Sequence, residues 1–248
     1  MAYHTRLVGH PLLYFPRVSS SMDVARREVG KGASEGTAVL AGEQTAGRGR
    51  QGRSWLTPQG SIALSVIFRP SLSHLSGVAM LAPLAVVRAV RRATGLETGI
   101  KWPNDVLLGG KKLCGVLVES ALRGSQVEYA IAGLGVNVDF DPAAWPEIAS
   151  IATSVSAGLG RPVALGEVLG PLLEELDQLY LSLRAGEPVY QEWQAHLETI
   201  GQRVAVRGEG WQEEGLAEGV DPDGSLLLRR ADGTLRRLFS GEVLSLRS

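Results

Sequence analysis

The chain has little cysteine, scattered histidine and almost no net charge. Its 248 residues include one cysteine, Cys114, which excludes an intrachain disulfide and a zinc site built from cysteines. Lys and Arg total 25 and Asp and Glu total 26, and the resulting net charge of -1 argues against a protein that coats nucleic acid. The four histidines lack metal-ligand spacing, so we expect no metal site from a protein motif.

Long hydrophobic runs are also missing. The most apolar stretch, Val78–Val90, has 13 residues, whereas a helix that crosses a bilayer needs about 20. The first residues lack the charged region and apolar region of a secretory signal peptide. We therefore expect a folded protein of the cytoplasm.

Glycine, by contrast, is abundant. The chain holds 31 glycines, more than the roughly 7% of average proteins, and they show no Gly-X-Y period. Collagen is excluded. The excess predicts tight turns and places where backbone comes close to another group.

The hydrophobic pattern predicts an α+β fold with a mixed or antiparallel sheet and flanking helices, because the strands do not alternate regularly with helices. Ser19–Ser21 precede the first helix and are expected to cap its free amides. We predict helices at residues 23–29, 75–94 (ending at Gly95) and twice within 167–199, and strands at 37–41, 61–69, 98–102, 106–108, 112–119 and 127–138.

The pattern changes after Gly201. Five short strands with tight turns predict a small β-barrel, at residues 203–207, 214–220, 225–230, 234–239 and 243–246. We place the domain boundary at about residue 200, which gives a domain of residues 1–200 and a barrel of residues 201–248.

One loop concentrates positive charge. In Gln44–Trp55, which we call the glycine–arginine loop, Arg48, Arg50 and Arg53 alternate with glycines and no acid is present. Arginine forks and exposed backbone amides bind carboxylates and phosphates, so the loop is interpreted as an anion-binding loop. Composition leaves two alternatives open: a flexible solvated turn, or a segment that contacts RNA.

Two further segments carry chemistry at predicted strand ends. Ile100–Asp105 presents a cation, an aromatic ring and two polar groups in a row, although an ordinary turn would look similar. In Lys111–Glu119, strict alternation would place Lys112 and Cys114 on the face opposite Leu113. Lys112 would then face a pocket or solvent, and Cys114 is interpreted as a packing residue rather than a nucleophile.

The last such segment is Ala132–Val138. Gly133 and Gly135 lie within a predicted strand, which indicates close approach of backbone or ligand. Asn137 either bonds a ligand or faces solvent at the strand end.

Taken in order, the glycine–arginine loop, Lys101–Asp105, Lys112–Glu119 and Gly133–Asn137 resemble the motifs of the biotin–protein ligases. The resemblance covers about residues 15–248. It implies a catalytic domain of the class II synthetase type followed by an SH3-like barrel. It also implies an ATP-dependent enzyme that makes biotinyl-5′-AMP and pyrophosphate and then transfers biotin to one lysine of a biotin carboxyl carrier protein.

The resemblance also implies roles for individual residues. Mg²⁺ is expected to accompany ATP. The implied biotin-binding residues are Ser20, Ser21, Met22, Gln44, Arg48, Gly49, Arg50 and Lys112. The implied ATP-binding residues are Arg50, Trp55, Lys101, Asn104, Asp105 and Asn137. The implied catalytic residues are Arg48, Arg50, Lys112 and Asp105, the last as a base or orienting group for the acceptor lysine.

Two features of this sequence limit what the resemblance implies about biotin contacts and DNA binding. Met22 stands where the family usually has Asn and cannot replace the hydrogen bonds of that amide. Only 19 residues precede Ser20, so we expect no N-terminal DNA-binding domain and no operator binding.

The expected acceptor is the carrier subunit of acetyl-CoA carboxylase, and a homodimer through an exposed sheet edge is considered. Two other functions remain open: a lipoate or octanoate ligase or transferase, and a non-enzymatic module that binds RNA or anions.

Overall fold

A computed structural model describes residues 3–245, which form two β-sheets and five α-helices. The first sheet contains β1 (Leu12–Phe15), β2 (Ala38–Ala41), β3 (Ser61–Phe68), β4 (Gly99–Lys101), β5 (Asp105–Leu108), β6 (Lys111–Arg123) and β7 (Gln126–Asn137). The second contains β8 (Arg203–Gly208), β9 (Trp211–Val220), β10 (Leu226–Arg229), β11 (Leu235–Leu238) and β12 (Glu242–Ser245). The helices are α1 (Ser21–Gly30), α2 (Leu75–Thr94), α3 (Val155–Leu159), α4 (Leu165–Arg184) and α5 (Tyr190–Ala195).

The first sheet is mixed. Its strand order is β1-β2-β3-β7-β6-β5-β4, and only the β1–β2 pair is parallel within it. The long strands β3, β6 and β7 lie at its centre. The strand β3 is buried along its whole length, and its residues are apolar except for the buried Ser61 and Ser65.

The helix α2 forms the middle of the core. With the turn before it, Leu72–Thr94 is apolar enough by composition to cross a membrane, but 67% of its most apolar window is buried inside the fold, where α2 packs on α4 and on the sheet. It is therefore a core helix. It ends as predicted, with Gly95 in the left-handed conformation at φ 76°.

The second sheet is antiparallel, with the order β11-β10-β9-β8-β12. It docks against the first unit through Trp102, which is 1% exposed. The indole Nε1–H of Trp102 donates to the carbonyl of Gly224 over 2.9 Å, and its backbone N–H donates to Thr199 Oγ1 over 2.9 Å. The strand that leads into Lys101–Asp105 is thus fixed by the C-terminal unit.

These elements confirm the predicted α+β class, with a mixed sheet and a small C-terminal β unit. The strand β1 and the helix α3 were not predicted, and Leu246, the predicted end of the last strand, lies outside the described residues. The capping expectation is wrong: Ser20 occupies the N-cap of α1 in extended conformation but makes no side-chain cap hydrogen bond.

Candidate functional site

A cavity of about 480 Å³ opens above the middle of the first sheet and reaches the start of β12. Elements far apart in sequence meet there, including the N-terminus of α1, the glycine–arginine loop, and strands β6 and β7. Every residue that the sequence nominated lines it: Ser20, Ser21, Met22, Gln44, Arg48, Gly49, Arg50, Trp55, Lys101, Asn104, Asp105, Lys112 and Asn137.

One end of the cavity is polar and tightly organised around Gln44. Gln44 Oε1 accepts hydrogen bonds from the backbone N–H of Ser21 over 2.8 Å and from the Ser21 hydroxyl over 3.0 Å. Gln44, rather than one of the serines, therefore caps a free amide at the start of α1. The hydroxyl of Ser21 also lies 2.8 Å from that of Ser65, and Gln44 Nε2 donates to Thr57 over 3.0 Å. This network fixes the amide orientation of Gln44.

The floor of the cavity is made of glycine. A Cβ at Gly133 would lie 2.7 Å from Met22 Sδ, and a Cβ at Gly135 would lie 2.7 Å from Trp55 Cζ2. Gly115 on the neighbouring strand is opposite Gly135, and its Cβ would meet the same indole at 2.8 Å. Larger residues would therefore fill the site. Other groups do approach Gly133 and Gly135 closely, but they are the side chains of Met22 and Trp55 rather than the backbone or ligand that the sequence suggested.

Met22 belongs to the apolar lining. Its side chain is 4% exposed and clusters with Val39, Ile67 and Ile131. The thioether packs against these apolar side chains and offers little hydrogen bonding to a ligand.

Lys112 contacts residues of two other sequence motifs, Asp105 of Lys101–Asp105 and Trp55 of the glycine–arginine loop. Its Nζ forms an ion pair with Asp105 Oδ2 at 2.8 Å and lies 5.3 Å from the centre of the Trp55 ring. Lys112 is only partly exposed, so its charge is less screened than that of an ordinary surface lysine. Asp105 and Lys112 come from neighbouring strands, β5 and β6.

A β-bulge aims Lys112. Leu107 pairs with Lys112 and Val106 pairs with Cys114, so Leu113 is an extra residue in β6. The predicted alternation is wrong for this reason: Leu113 and Cys114 are both 0% exposed within one core cluster. Burial raises the pKa of the Cys114 thiol, which agrees with a packing role.

Arg50 is the inward cation of the glycine–arginine loop. Its Nη1 donates to Asn104 Oδ1 over 2.9 Å, and Asn104 in turn donates through its amide to the carbonyl of Val116. Burial lowers the pKa of Arg50 despite the nearby acids Asp105 and Glu242, although the guanidinium stays charged.

The other two arginines of the loop bind acids. Arg48 Nη1 lies 2.8 Å from Asp23 Oδ1 and 2.9 Å from Oδ2. Arg53 makes a two-pronged ion pair with Glu242 in the C-terminal unit. Hydrogen bonds from Arg53 lower the pKa of Glu242, with smaller effects from Lys101 and Arg207.

Asn137 has a largely internal role in this structure. It is 3% exposed, and its amide nitrogen donates to the carbonyl of Thr153 over 2.9 Å and reaches that of Lys112 at 3.4 Å. It therefore ties the segment after β7 to the bulge.

Sequence reasoning missed several residues of the cavity. They are Glu147, Ile148, Ile151 and Ala152 on the segment after β7, and Gly241, Glu242 and Val243 on the C-terminal unit. Lys112 N donates to the carbonyl of Ile151 over 2.8 Å, but no motif marked that segment. Within residues 3–245, no group of three or more His, Cys, Asp or Glu side chains could hold a metal ion.

Comparison with known families covers both units. Residues 14–137 match the biotin/lipoate A/B protein ligase family, and residues 199–244 match the biotin protein ligase C-terminal domain.

Curated relatives and a solved structure are similar to this chain along nearly its whole length. A biotin–[acetyl-CoA-carboxylase] ligase of Mycobacterium tuberculosis is 35% identical over 242 residues, covering 92% of this chain and 86% of the relative. The bifunctional ligase/repressor BirA of Bacillus subtilis is 34% identical over 245 residues, covering 96% and 75%. A solved biotin protein ligase from Aquifex aeolicus, in complex with biotin and ATP, superposes with a TM-score of 0.81 at 28% identity, covering 96% and 99%. The chain therefore belongs to the biotin protein ligase family.

Proposed function

We propose that this chain is an ATP-dependent biotin–protein ligase. The observation that carries the proposal is the convergence of Arg50 and Lys112 on one glycine-floored cavity, in a chain of this family. The enzyme activates biotin to biotinyl-5′-AMP and then transfers biotin to a lysine of a carrier domain.

The first half-reaction needs fixed positive charge. A carboxylate oxygen of biotin attacks the α-phosphorus of ATP, the bond to the β-phosphate breaks, and pyrophosphate leaves. Both reactants are anions, so preorganised cations offset their repulsion and the charge that builds in the transition state. Arg50 and Lys112 perform this role, with Mg²⁺ arriving on the phosphates of ATP.

Biotin occupies the end of the cavity near α1. Ser21 and Gln44 offer hydrogen-bonding groups to its ureido ring, and Met22 with the glycine floor packs against its apolar body. The remaining residues on the biotin side are Ser20, Arg48, Gly49, Arg50 and Lys112.

The nucleotide occupies the other end. Trp55 offers an aromatic face, and Asn104 holds Arg50 in place. Lys101, Asp105 and Asn137 complete the nucleotide side.

The second half-reaction transfers biotin to the acceptor. The neutral amine of a lysine attacks the acyl carbon, the bond to AMP breaks, and the amine loses a proton. Asp105 receives or orients that proton, and its ion pair with Lys112 holds the carboxylate at the cavity.

The wider assignments extend the same proposal. The acceptor is the biotin carboxyl carrier protein of acetyl-CoA carboxylase, and the protein works in the cytoplasm. Residues 1–200 form the catalytic domain and 201–248 the SH3-like barrel, in keeping with the two sheets and the two matched family domains. Operator DNA is not bound, because the net charge is -1 and Arg48 and Arg53 already face acids.

A homodimer would use the β1 edge of the first sheet. The β4 edge is covered, since Ile100 exchanges backbone hydrogen bonds with His196 and Glu198. Tyr14 on β1 is 61% exposed.

Pyrophosphate release tests the function. The full chain is incubated with ATP, Mg²⁺ and either biotin, lipoate or neither, followed by addition of a purified carrier domain. We expect release only with biotin, and then a mass increase of the carrier. Release with lipoate alone would favour a lipoate ligase, and salt-sensitive RNA binding without pyrophosphate release would favour a binding module.

A further inference from the structure

We propose that Asp23 and Glu242 are positioning residues, which hold the glycine–arginine loop over the cavity by one ion pair at each end. Arg50, between the two pairs, is left as the loop guanidinium directed at the substrates. Its identity as a substrate-binding group rests on the proposed function, but closure of the loop does not.

The first anchor joins the loop to α1. Asp23 lies in the first turn of α1, directly after the biotin-side residue Met22, and both of its oxygens contact Arg48. Glu119 on β6 stands 3.7 Å from the same guanidinium. Arg26 bridges the two acids, since it pairs with Glu119 and lies 3.4 Å from Asp23. Arg48 therefore lines the cavity and also joins a small charge network at its edge.

The second anchor joins the loop to the C-terminal unit. Arg53 and Glu242 are 189 positions apart in sequence and make paired contacts through both guanidinium nitrogens. Parallel N–H to carboxylate bonds of this kind fix orientation as well as distance. The glycine–arginine loop thus bridges α1 and β12.

Between the anchors the backbone makes a tight turn. Gly49 N donates to the carbonyl of Arg53 over 2.7 Å, and Arg53 N returns a bond to that of Arg50 over 3.2 Å. Gln51 sits in the left-handed region at φ 55°, which a residue with a side chain rarely adopts. Such a turn needs support from outside, and the two ion pairs supply it.

The three arginines of the loop therefore have different roles. Arg48 and Arg53 form ion pairs with acids of this chain, whereas Arg50 points into the cavity and donates a hydrogen bond to Asn104. Opening the loop to release a bound adenylate therefore requires both ion pairs to break, together with the hydrogen bond from Arg50 to Asn104.

Trypsin offers a direct probe, because each arginine of the loop is a cleavage site. The full chain, without substrates, is treated briefly with trypsin, and cleavage after Arg48, Arg50 and Arg53 is quantified by mass spectrometry. The variants are Asp23→Asn, Glu242→Gln and the double variant. The matched control is Glu218→Gln, which removes an ion pair with Arg229 elsewhere in the C-terminal unit.

Because exposed ion pairs are individually weak, each single variant is expected to speed loop cleavage about two- to fivefold, and the double variant by the product of the two. The control should cleave at the wild-type rate. Unchanged loop cleavage in the double variant, or an equal rise in the control, would overturn the proposal.

Two further measurements separate positioning from folding and from function. Raising NaCl to 1 M should speed loop cleavage of the unmodified chain, relative to a peptide substrate of trypsin, because salt screens exposed pairs. The variants should also release biotinyl-adenylate faster, while Asp23→Glu restores retention. A chain that makes no adenylate would contradict the proposed function, but the trypsin result would still decide the anchors.

Discussion

Lys112 Nζ and Asp105 Oδ2 lie 2.8 Å apart, and this ion pair joins two motifs that are separate in the sequence. The bulge at Leu113 makes the pairing possible, because it turns Lys112 out of the core while Leu113 and Cys114 stay inside. Lys112, which we assign to charge stabilisation in the first half-reaction, thus already has a counter-ion.

Lys112→Ala is expected to slow adenylate formation about a hundredfold or more, because it removes one preorganised charge stabiliser. The side chain is 32% exposed, so the thermal midpoint should move only slightly. Lys111→Ala is the matched control, since Lys111 is an exposed neighbour on the same strand. Adenylation at the wild-type rate would remove Lys112 from the chemistry.

Gly135→Ala is expected to raise the KM for ATP, because the new methyl group would collide with the indole of Trp55 and push it into the nucleotide end of the cavity. Gly219→Ala serves as the control: no atom lies within 4 Å of a Cβ there. Steady-state kinetics at varied ATP would reveal the effect. Equal KM values for the two variants would show that the glycine floor is not needed for binding.

Met22→Asn is expected to lower the free energy of unfolding by about 1–3 kcal/mol, because it buries an amide among apolar side chains. Met22→Leu, which roughly conserves volume, should cost less than about 1.5 kcal/mol. Urea denaturation would compare them. An Asn variant as stable as the parent would mean that polar partners exist for it at this position.

Cys114 is expected to resist alkylation in the folded chain, because the thiol is fully buried and burial raises its pKa. Iodoacetamide at pH 8 should label it only after unfolding, and Cys114→Ala should still form adenylate. Rapid labelling of the native chain would place the thiol in a solvent-accessible position.

Glu242 is expected to titrate below the ordinary range of glutamate, about pH 4.3, because Arg53 donates hydrogen bonds to its ionised form. The lowered pKa means that the pair stabilises the fold at neutral pH, and that this contribution is lost as the pH falls through the folded-state pKa. An NMR titration of the carboxyl carbon would measure it. Arg53→Gln should move the midpoint back upward; no movement would exclude Arg53 as the cause.

The sequence pointed to the residues of this cavity because they lie in short motifs that together resemble those of the biotin–protein ligases. Glycines alternating with arginines, and glycines inside β7, have few structural explanations other than turns and close approach. Lys112, Asp105 and Gln44 were named through the resemblance to the biotin–protein ligases, and their partners could not be predicted.

The features that the sequence did not predict are contacts between residues far apart in the chain and the backbone geometry of single residues. No local pattern links Arg53 to Glu242, and the bulge at Leu113 breaks the alternation on which strand prediction relies. The segment after β7 carries Ile148 and Ile151, whose apolar character is common to many loops. β1 is four residues long and half-exposed, so its pattern was too weak to predict.

The hydrogen bond from Trp102 to Gly224 couples the stability of the two units of this chain. A buried indole of the larger unit has its acceptor in the smaller one, so removing the smaller unit would leave that donor unsatisfied and the ring uncovered. The two units share an interior. They should therefore melt in a single cooperative transition, and the C-terminal unit cannot be exchanged like an independent module.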